Sequence, residues 1–329
     1  MKVLITGSNG FIGQHLVSGI RNEKGISLIV SSKKYLESLS GQAEQFIFPT
    51  IDSSTDWRKV LIGVDTVIHL ADLAHDTKLN SNNSDTSYIE ANVETSINLA
   101  EQSVNAGVRR FIYLSSIKVN GEETLINKPF NAENLPDPQD SYAKSKLKAE
   151  IALKQISEIS ELELVIIRPV LVYGPGVKGN FLSLMQWIKR GIPLPFSLIN
   201  NKRDLVSINN LVNFIIICLK HPSAKNQVFL ISDNVSISTK NLIRKIARFQ
   251  KKEILLLPFP QVFLSLVFNL IGRKKLTQKL LGSLEVNIQK NLKLLGWSPS
   301  QDVDQTLRET GEFFLKYQDV QILEKTKKD

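Results

Sequence analysis

The feature that most constrains the fold is TGSNGFIG, residues 6–13. It sits directly behind the apolar run KVLIT, residues 2–6, and ahead of a segment with Ile12, Leu16 and Ile20 at helical spacing. Gly7, Gly10 and Gly13 therefore fall in a turn between a strand and a helix. Glycine at such a turn permits positive φ, and the missing Cβ lets the backbone come close to a pyrophosphate. The helix N-terminus behind it offers unpaired N–H groups and a partial positive charge. A glycine triplet alone is a weak signal; its place after a strand and before a helix is what the motif requires.

The first half of the chain continues to alternate. Candidate strands lie at 26–30, 45–48, 66–70, 110–114 and 162–167, and candidate helices at 11–21, near 87–105 and at 141–159. Within 87–105, Val93, Ile97, Ala100 and Val104 share one face, and Gly107 ends the helix. Strand–helix alternation of this kind implies a parallel sheet covered on both faces. The fold class is α/β, a doubly wound parallel sheet of the Rossmann type. The pattern changes after Arg168–Pro169, where Pro175, Pro193, Pro195, Gly174, Gly176, Gly179 and Gly191 mark loops. A helix at 207–220 and a strand at 227–231 are expected to return to the sheet. From about Ser238 the chain reads as mostly helical, ending in the charged tail EKTKKD. Two units follow: 1–175, joined by 205–235, and a smaller, mostly helical 176–329.

Residues 28–34, LIVSSKK, close the second strand. About 20 residues past the glycine turn, an acid normally holds the adenosine ribose of NAD. This chain has Ser31, Ser32, Lys33 and Lys34 there. Donors and positive charge suit a ribose 2′-phosphate, so NADP is expected, with NAD as the alternative.

Net charge is +9, but the lysines are spread along the chain rather than clustered with aromatics. Nucleic acid is not expected as a partner; a basic surface that attracts an anionic small molecule is. The single cysteine, Cys218, cannot form an internal disulfide, which fits a reducing, cytoplasmic compartment. MKVLITGSNGFIG does not read as a signal peptide, because its apolar run breaks at Gly7. The stretch 254–272, ILLLPFPQVFLSLVFNLIG, is almost uncharged and is flanked by Lys251, Lys252, Arg273, Lys274 and Lys275. Pro258, Pro260 and Asn269 interrupt it, and the part after Pro260 is too short to span a bilayer. A core or interface helix is the favoured expectation. Peripheral docking on the inner face of a membrane is the alternative.

SYAKSKLKAE, residues 141–150, puts Tyr142 and Lys146 four apart on a predicted helix and so on one face. An ammonium near a phenol stabilises phenolate, which is expected to lower the Tyr142 pKa toward neutrality. The tyrosine could then exchange a proton with an alcohol or ketone oxygen, and the lysine could also hold a ribose. In FIYLSSIKVNG, residues 111–121, a strand runs into Ser115 and Ser116 at its C-terminal end, where open α/β sheets place ligands. Ser116 could hydrogen-bond the same oxygen; Ser115 reads better as a turn or cap residue.

These pieces together resemble an extended short-chain dehydrogenase/reductase of the nucleotide-sugar epimerase/dehydratase group. TGSNGFIG, DTVIHLAD (65–72), NVETSINLAEQSVNAGVRRFIYLSS (92–116), SYAKSKLKAE, IRPVLVYGPG (167–176) and RDLVSINNLV (203–212) carry the resemblance in order, and LLGWSP (294–299) adds a weaker match. The resemblance implies a catalytic triad of Ser116, Tyr142 and Lys146. It implies a pyrophosphate cradle of Gly7, Gly10, Phe11, Ile12 and Gly13, and a cofactor cleft lined by His69, Leu70 and Ala71. Asn92 would order the cofactor side and Pro169 would border the nicotinamide. Asn180 and Arg203 would approach a UDP diphosphate, which makes 176–329 the substrate side. No residue is assigned to a metal.

Two departures narrow the group. The 4,6-dehydratases carry an Asp-Glu pair after the catalytic serine or threonine; here Ile117 and Lys118 follow Ser116. UDP-sugar 4-epimerases keep an acid at the second-strand end and hold NAD permanently, whereas a reductase consumes one hydride per turnover, usually from NADPH. LIVSSKK thus points to net reduction. The expected activity is NADPH-dependent reduction of the C4 ketone of a UDP-4-keto-6-deoxy-N-acetylhexosamine, for surface polysaccharide. The alternative is a UDP-hexose or UDP-N-acetylhexosamine 4-epimerase with NAD. A homodimer through the helices near 88–105 and 141–159 is a family-level expectation.

Overall fold

The computed structural model of the chain describes residues 1–73, 84–270 and 274–326. The last two residues of the apolar stretch, Arg273 beside it, and 327–329 of the charged tail lie outside the described residues.

The N-terminal half alternates as the pattern requires. In chain order it contains β1 (Lys2–Thr6), α1 (Phe11–Ile20), β2 (Ser27–Ser32), β3 (Glu44–Ile47) and β4 (Thr66–His69). A helical passage follows, α2 (Ser84–Ile89), a π-helical turn (Glu90–Glu94) and α3 (Thr95–Asn105); then come β5 (Arg110–Leu114), α4 (Ser141–Glu158) and β6 (Glu163–Pro169). The second half holds β7 (Leu171–Tyr173), α5 (Gly179–Lys189), β8 (Arg203–Ser207), α6 (Ile208–Lys220), β9 (Gln227–Ile231) and β10 (Ser236–Ile237). It ends with α7 (Thr239–Phe249), α8 (Gln261–Leu270), α9 (Lys274–Leu281), α10 (Gln289–Leu295) and α11 (Val303–Thr326).

Seven strands form one parallel sheet in the order β3-β2-β1-β4-β5-β6-β9. Successive strand side chains point to opposite faces. Val3, Ile5, Val30, Ile68, Ile112 and Ile167 enter the core under α1 and α6. Leu4, Ile29, Val67, Phe111 and Ile166 enter the core under α3 and α4. Both faces are therefore apolar, which is why the strands read as continuous hydrophobic runs. The sheet is doubly wound, as expected. Its register sets Thr6, Ser31, His69 and Tyr113 side by side near the C-terminal edge.

Gly179 and Gly191 read as loop markers, yet the 11-residue helix α5 fills the span between them. Gly179 opens the helix at φ +64°, and Phe181, Met185 and Ile188 bury one face behind it. A second, three-stranded sheet, β10-β8-β7, was also not expected. Its outer strands have three and two residues, too short for periodicity to register. A third core forms around Tyr173, Phe181, Leu205 and Ile243. The C-terminal LLGWSP segment returns to the main sheet. The Trp297 ring packs edge-on against Phe214, centroids 4.9 Å apart, and its Nε1 donates to Asn213 Oδ1 at 2.8 Å.

Helix α8, within the apolar stretch, is not a core helix. Leu264 is buried, but Val262, Phe263, Leu266, Val267 and Leu270 are exposed. No helix among the described residues is long and apolar enough to cross a membrane.

Candidate active site

The glycine turn is built as its spacing implies. Gly7 has φ +70°, and a Cβ there would stand 2.8 Å from Ala71 N and 2.9 Å from the Leu70 carbonyl carbon. A Cβ on Gly13 would stand 2.2 Å from Gly7 O. Gly10 caps α1 without a side-chain hydrogen bond, and the first turn carries no acid. Its N–H groups and dipole are therefore left for an anion. At the end of β2, Ser31 and Ser32 are buried while Lys33 and Lys34 stand exposed. Ser32 Oγ donates to Lys34 O at 2.6 Å, and Ser31 Oγ is buried without a partner. An open cradle, an orphaned hydroxyl and two free ammonium groups fit a dinucleotide.

Beside the cradle, His69 sits wholly inside a polar relay. Its Nδ1 lies 2.7 Å from Thr6 Oγ1 and its Nε2 lies 3.0 Å from Ser96 Oγ. Ser96 Oγ donates to Asn92 O, and Thr6 Oγ1 accepts from Ala71 N. Because Ser96 Oγ spends its proton on Asn92 O, it accepts from His69, and Nε2 carries a proton. Burial, with the Lys146 charge, depresses the His69 pKa to about 3. His69 thus anchors the β1–β4 edge, with no freedom to act as an acid or base at neutral pH.

The Asp140 side chain caps α4, accepting from Ala143 N at 2.8 Å, and so fixes where the helix begins. Two residues on, Tyr142 OH donates to Asp72 Oδ2 at 3.0 Å. Lys146 Nζ lies 3.0 Å from the same oxygen and donates to Leu114 O at 2.9 Å. The structure thus brings Tyr142 and Lys146 to the end of β5, joined by an acid that the sequence reading did not assign. Asp72 was visible as the last letter of DTVIHLAD; nothing local showed that it would meet α4. Its presence also reverses one expectation. Tyr142 is not pulled toward neutrality; its pKa is raised well above the usual phenol value, by withdrawal from water and then by Asp72. Burial opposes charge on Lys146, but Asp72 and the Tyr113 phenol outweigh it, and the ammonium is held.

The two serines after β5 separate, but Ser115, expected as a turn or cap residue, is not the one that caps. Ser115 Oγ donates to Glu150 inside a buried cluster where Glu150 pairs with Arg168. Ser116 stays partly exposed and caps a short 3₁₀ turn, accepting from Lys118 N at 3.3 Å. Asn92 clamps Leu73 from both sides, through Oδ1 to its N–H at 2.7 Å and through Nδ2 to its carbonyl at 3.3 Å. Its Nδ2 also donates to Ser145 Oγ at 3.0 Å. Pro169 ends β6 beside Ile231. Arg203 Nη1 donates to the carbonyls of Gln278 and Gly282 at 3.2 and 3.0 Å, and Asn180 stands exposed in the first turn of α5. Burial lowers the Arg203 pKa, against the pull of Glu122 and Glu123.

Comparison with known proteins agrees with this geometry. The family model described as NAD dependent epimerase/dehydratase family matches residues 3–232. A UDP-glucose 4-epimerase of Vibrio cholerae is 41% identical over 316 residues, 96% of each chain. An N-acetyl-alpha-D-glucosaminyl-diphospho-ditrans,octacis-undecaprenol 4-epimerase of Escherichia coli O157:H7 is 29% identical over 271 residues, 79% of this chain and 76% of its own. Among solved structures, a UDP-glucuronic acid 4-epimerase from Bacillus cereus in complex with NAD superposes with a TM-score of 0.79 at 20% identity, covering 96% of this chain and 99% of its own. With its glycine cradle, its Tyr142–Lys146 pair and these matches, the chain belongs to the NAD dependent epimerase/dehydratase family of enzymes.

Proposed function

We propose that the chain interconverts the C4 epimers of a UDP-hexose or UDP-N-acetylhexosamine, using a nicotinamide dinucleotide held at the glycine turn. The observation that carries this is the 41% identity with a UDP-glucose 4-epimerase along 96% of both chains, with the Tyr142–Lys146 pair beside the cradle. It supports epimerisation better than the net reduction favoured by LIVSSKK alone. When bound, the nicotinamide supplies hydride transfer at C4 of the sugar. Tyr142 Oη exchanges the proton of the C4 oxygen, and the Ser116 hydroxyl orients that oxygen. Lys146 holds the nicotinamide ribose. Gly7, Gly10 and Gly13, with the N–H groups of Phe11 and Ile12, receive the pyrophosphate. Leu70, Ala71 and Pro169 line the cleft, and Asn180 and Arg203, on the substrate side, approach the UDP diphosphate. Incubation with UDP-glucose and with UDP-N-acetylglucosamine, followed by NMR of the sugar, tests the reading. Formation of the C4 epimer without added cofactor supports it; no epimer from either sugar removes it.

A second reading, NADPH-dependent reduction of a UDP-4-keto-6-deoxy-N-acetylhexosamine, is favoured by the free Lys33 and Lys34 where an NAD enzyme carries an acid. Mass identification of the dinucleotide released on denaturation separates the two. Tightly held NAD supports the epimerase; NADP supports the reductase.

The proposal extends to the membrane. The exposed apolar face of α8, with Lys251 and Lys252 exposed ahead of it, supports peripheral docking on an anionic lipid surface. The lipid-linked sugar in the name of the Escherichia coli relative points the same way.

A further inference from the structure

We infer that Glu150 is a positioning residue: its buried carboxylate seats α4 on the ends of β5 and β6, and so sets Tyr142 against Ser116. This rests on the reading of Tyr142 and Ser116 as the groups that meet the C4 oxygen.

Tyr142, Lys146 and Glu150 follow one another at four-residue spacing, so they lie along one face of α4. Glu150 is 1% exposed, Arg168 2% and Ser115 4%, so the contacts among them are shielded from water. Glu150 Oε1 accepts from Ser115 Oγ and from Arg168 Nε, the latter at 2.9 Å. Its Oε2 accepts from Arg168 Nη2. The remaining arm of the guanidinium, Nη1, donates to Asn120 Oδ1 at 2.9 Å. Each partner adjoins a piece of the proposed site. Ser115 precedes Ser116, Arg168 precedes Pro169, and Asn120 ends the 3₁₀ turn that Ser116 caps. One carboxylate thus ties the helix that carries Tyr142 and Lys146 to the two strand ends that carry Ser116 and Pro169.

The chemistry of the link explains why a charge stands there. Elsewhere along this part of α4, Ala149 and Leu153 meet the apolar core. Apolar contact has no direction, so by itself it leaves the height of a helix loosely set. A bidentate carboxylate–guanidinium pair has a fixed reach and a fixed plane. A buried ion pair adds little net stability over apolar side chains of the same volume, so stability alone is a poor account of it. The ends of β5 and β6 are joined to each other without Glu150, because Ser115 N donates to Ile167 O at 2.8 Å. They form a platform, and Glu150 fixes α4 to it. Lys146, donating to Leu114 O at 2.9 Å, touches the same platform one turn nearer the helix start.

The test uses the full-length chain. Glu150→Met with Arg168→Met removes both charges and their directional bonds but keeps apolar bulk, which avoids stranding one buried charge. Ser115→Ala, a milder change, cuts only the link to β5. Crystal structures superposed on the main sheet read the position of Tyr142 relative to Ser116 without any assay. Steady-state kinetics on UDP-glucose and UDP-N-acetylglucosamine read the consequence. In the double variant α4 should shift by on the order of 0.5–1 Å, and kcat should fall about tenfold or more with KM held within about twofold. Ser115→Ala should move both quantities the same way by less, and it carries the decision if the double variant does not fold. Tyr142 and Ser116 in unchanged relation overturn the inference, whatever kcat does. So does a displaced α4 with kcat unchanged. A displaced α4, when the unmodified chain itself turns over neither sugar, upholds the seating of α4 by Glu150 and removes the functional reading instead.

Discussion

Tyr142, His69 and Lys33 are three residues whose chemistry is set by what lies next to them. Removing only the phenolic oxygen, Tyr142→Phe, should leave dinucleotide binding intact and cut kcat by roughly 10²–10⁴, the usual contribution of a general acid or base. Steady-state kinetics with an equilibrium binding assay checks both halves. His69 makes a different prediction, about stability. Its folded pKa of about 3 lies below the unfolded value near 6.5. Between those values the unfolded chain binds a proton that the folded chain refuses. Stability should therefore fall as pH drops from about 6.5 toward 3, by up to a few kcal/mol. Urea midpoints at neutral and mildly acidic pH should show a slope that His69→Asn flattens. At the end of β2, the two serines are buried and only the lysines face outward. Replacing Lys33 and Lys34 by alanine should weaken NADPH binding by roughly ten- to a hundredfold, with NADH unchanged, if they meet a 2′-phosphate. Calorimetric titration with each dinucleotide gives the answer.

The glycine turn and α8 show how differently two elements can expose what they carry. The turn is closed on itself: Gly13 has Gly7 O and Ser8 Cα where a side chain would go, at 2.2 and 2.8 Å. Both neighbours are backbone, so neither can swing aside. Gly13→Ala should cost on the order of 1–3 kcal/mol of stability and abolish dinucleotide binding, because the turn must open to admit the methyl group. Helix α8 instead leaves most of its apolar side chains in water. A run of apolar residues cannot reveal whether protein, lipid or nothing covers it. Phe263→Asp with Val267→Asp should abolish co-sedimentation with anionic vesicles and leave turnover of a soluble UDP-sugar unchanged.

Over the whole molecule, the two halves of the chain are interleaved. Leu284, Val286, Ile288, Leu295 and Trp297 are buried in the same core as α1 and α6, although they come from the C-terminal segment. Trp297→Ala should therefore loosen the nucleotide-binding sheet, with a stability loss of roughly 3–5 kcal/mol measurable by denaturant unfolding. Dinucleotide affinity should fall in the same variant if the loosening reaches the sheet edge. The sequence motif LLGWSP marked the place but could not show which sheet the tryptophan joins.

What the sequence determined by itself was local. Glycines at fixed offsets force a tight turn, and apolar alternation places strands and helices. A tyrosine and a lysine four apart share a helix face whatever surrounds them. These are consequences of backbone geometry and short-range spacing, and the glycine turn and the seven strands of the main sheet appeared where the chain predicted them. The tertiary structure decided what depends on residues far apart meeting. Asp72 follows β4 and Tyr142 opens α4, 70 residues apart, and only the parallel register brings them to one edge. That contact joins Tyr142 and Lys146 to one carboxylate oxygen that no local pattern had tied to them. The short strands β7 and β10 and the burial of Trp297 have the same origin, because neighbours distant in sequence provide the hydrogen bonds and apolar cover that no local pattern records.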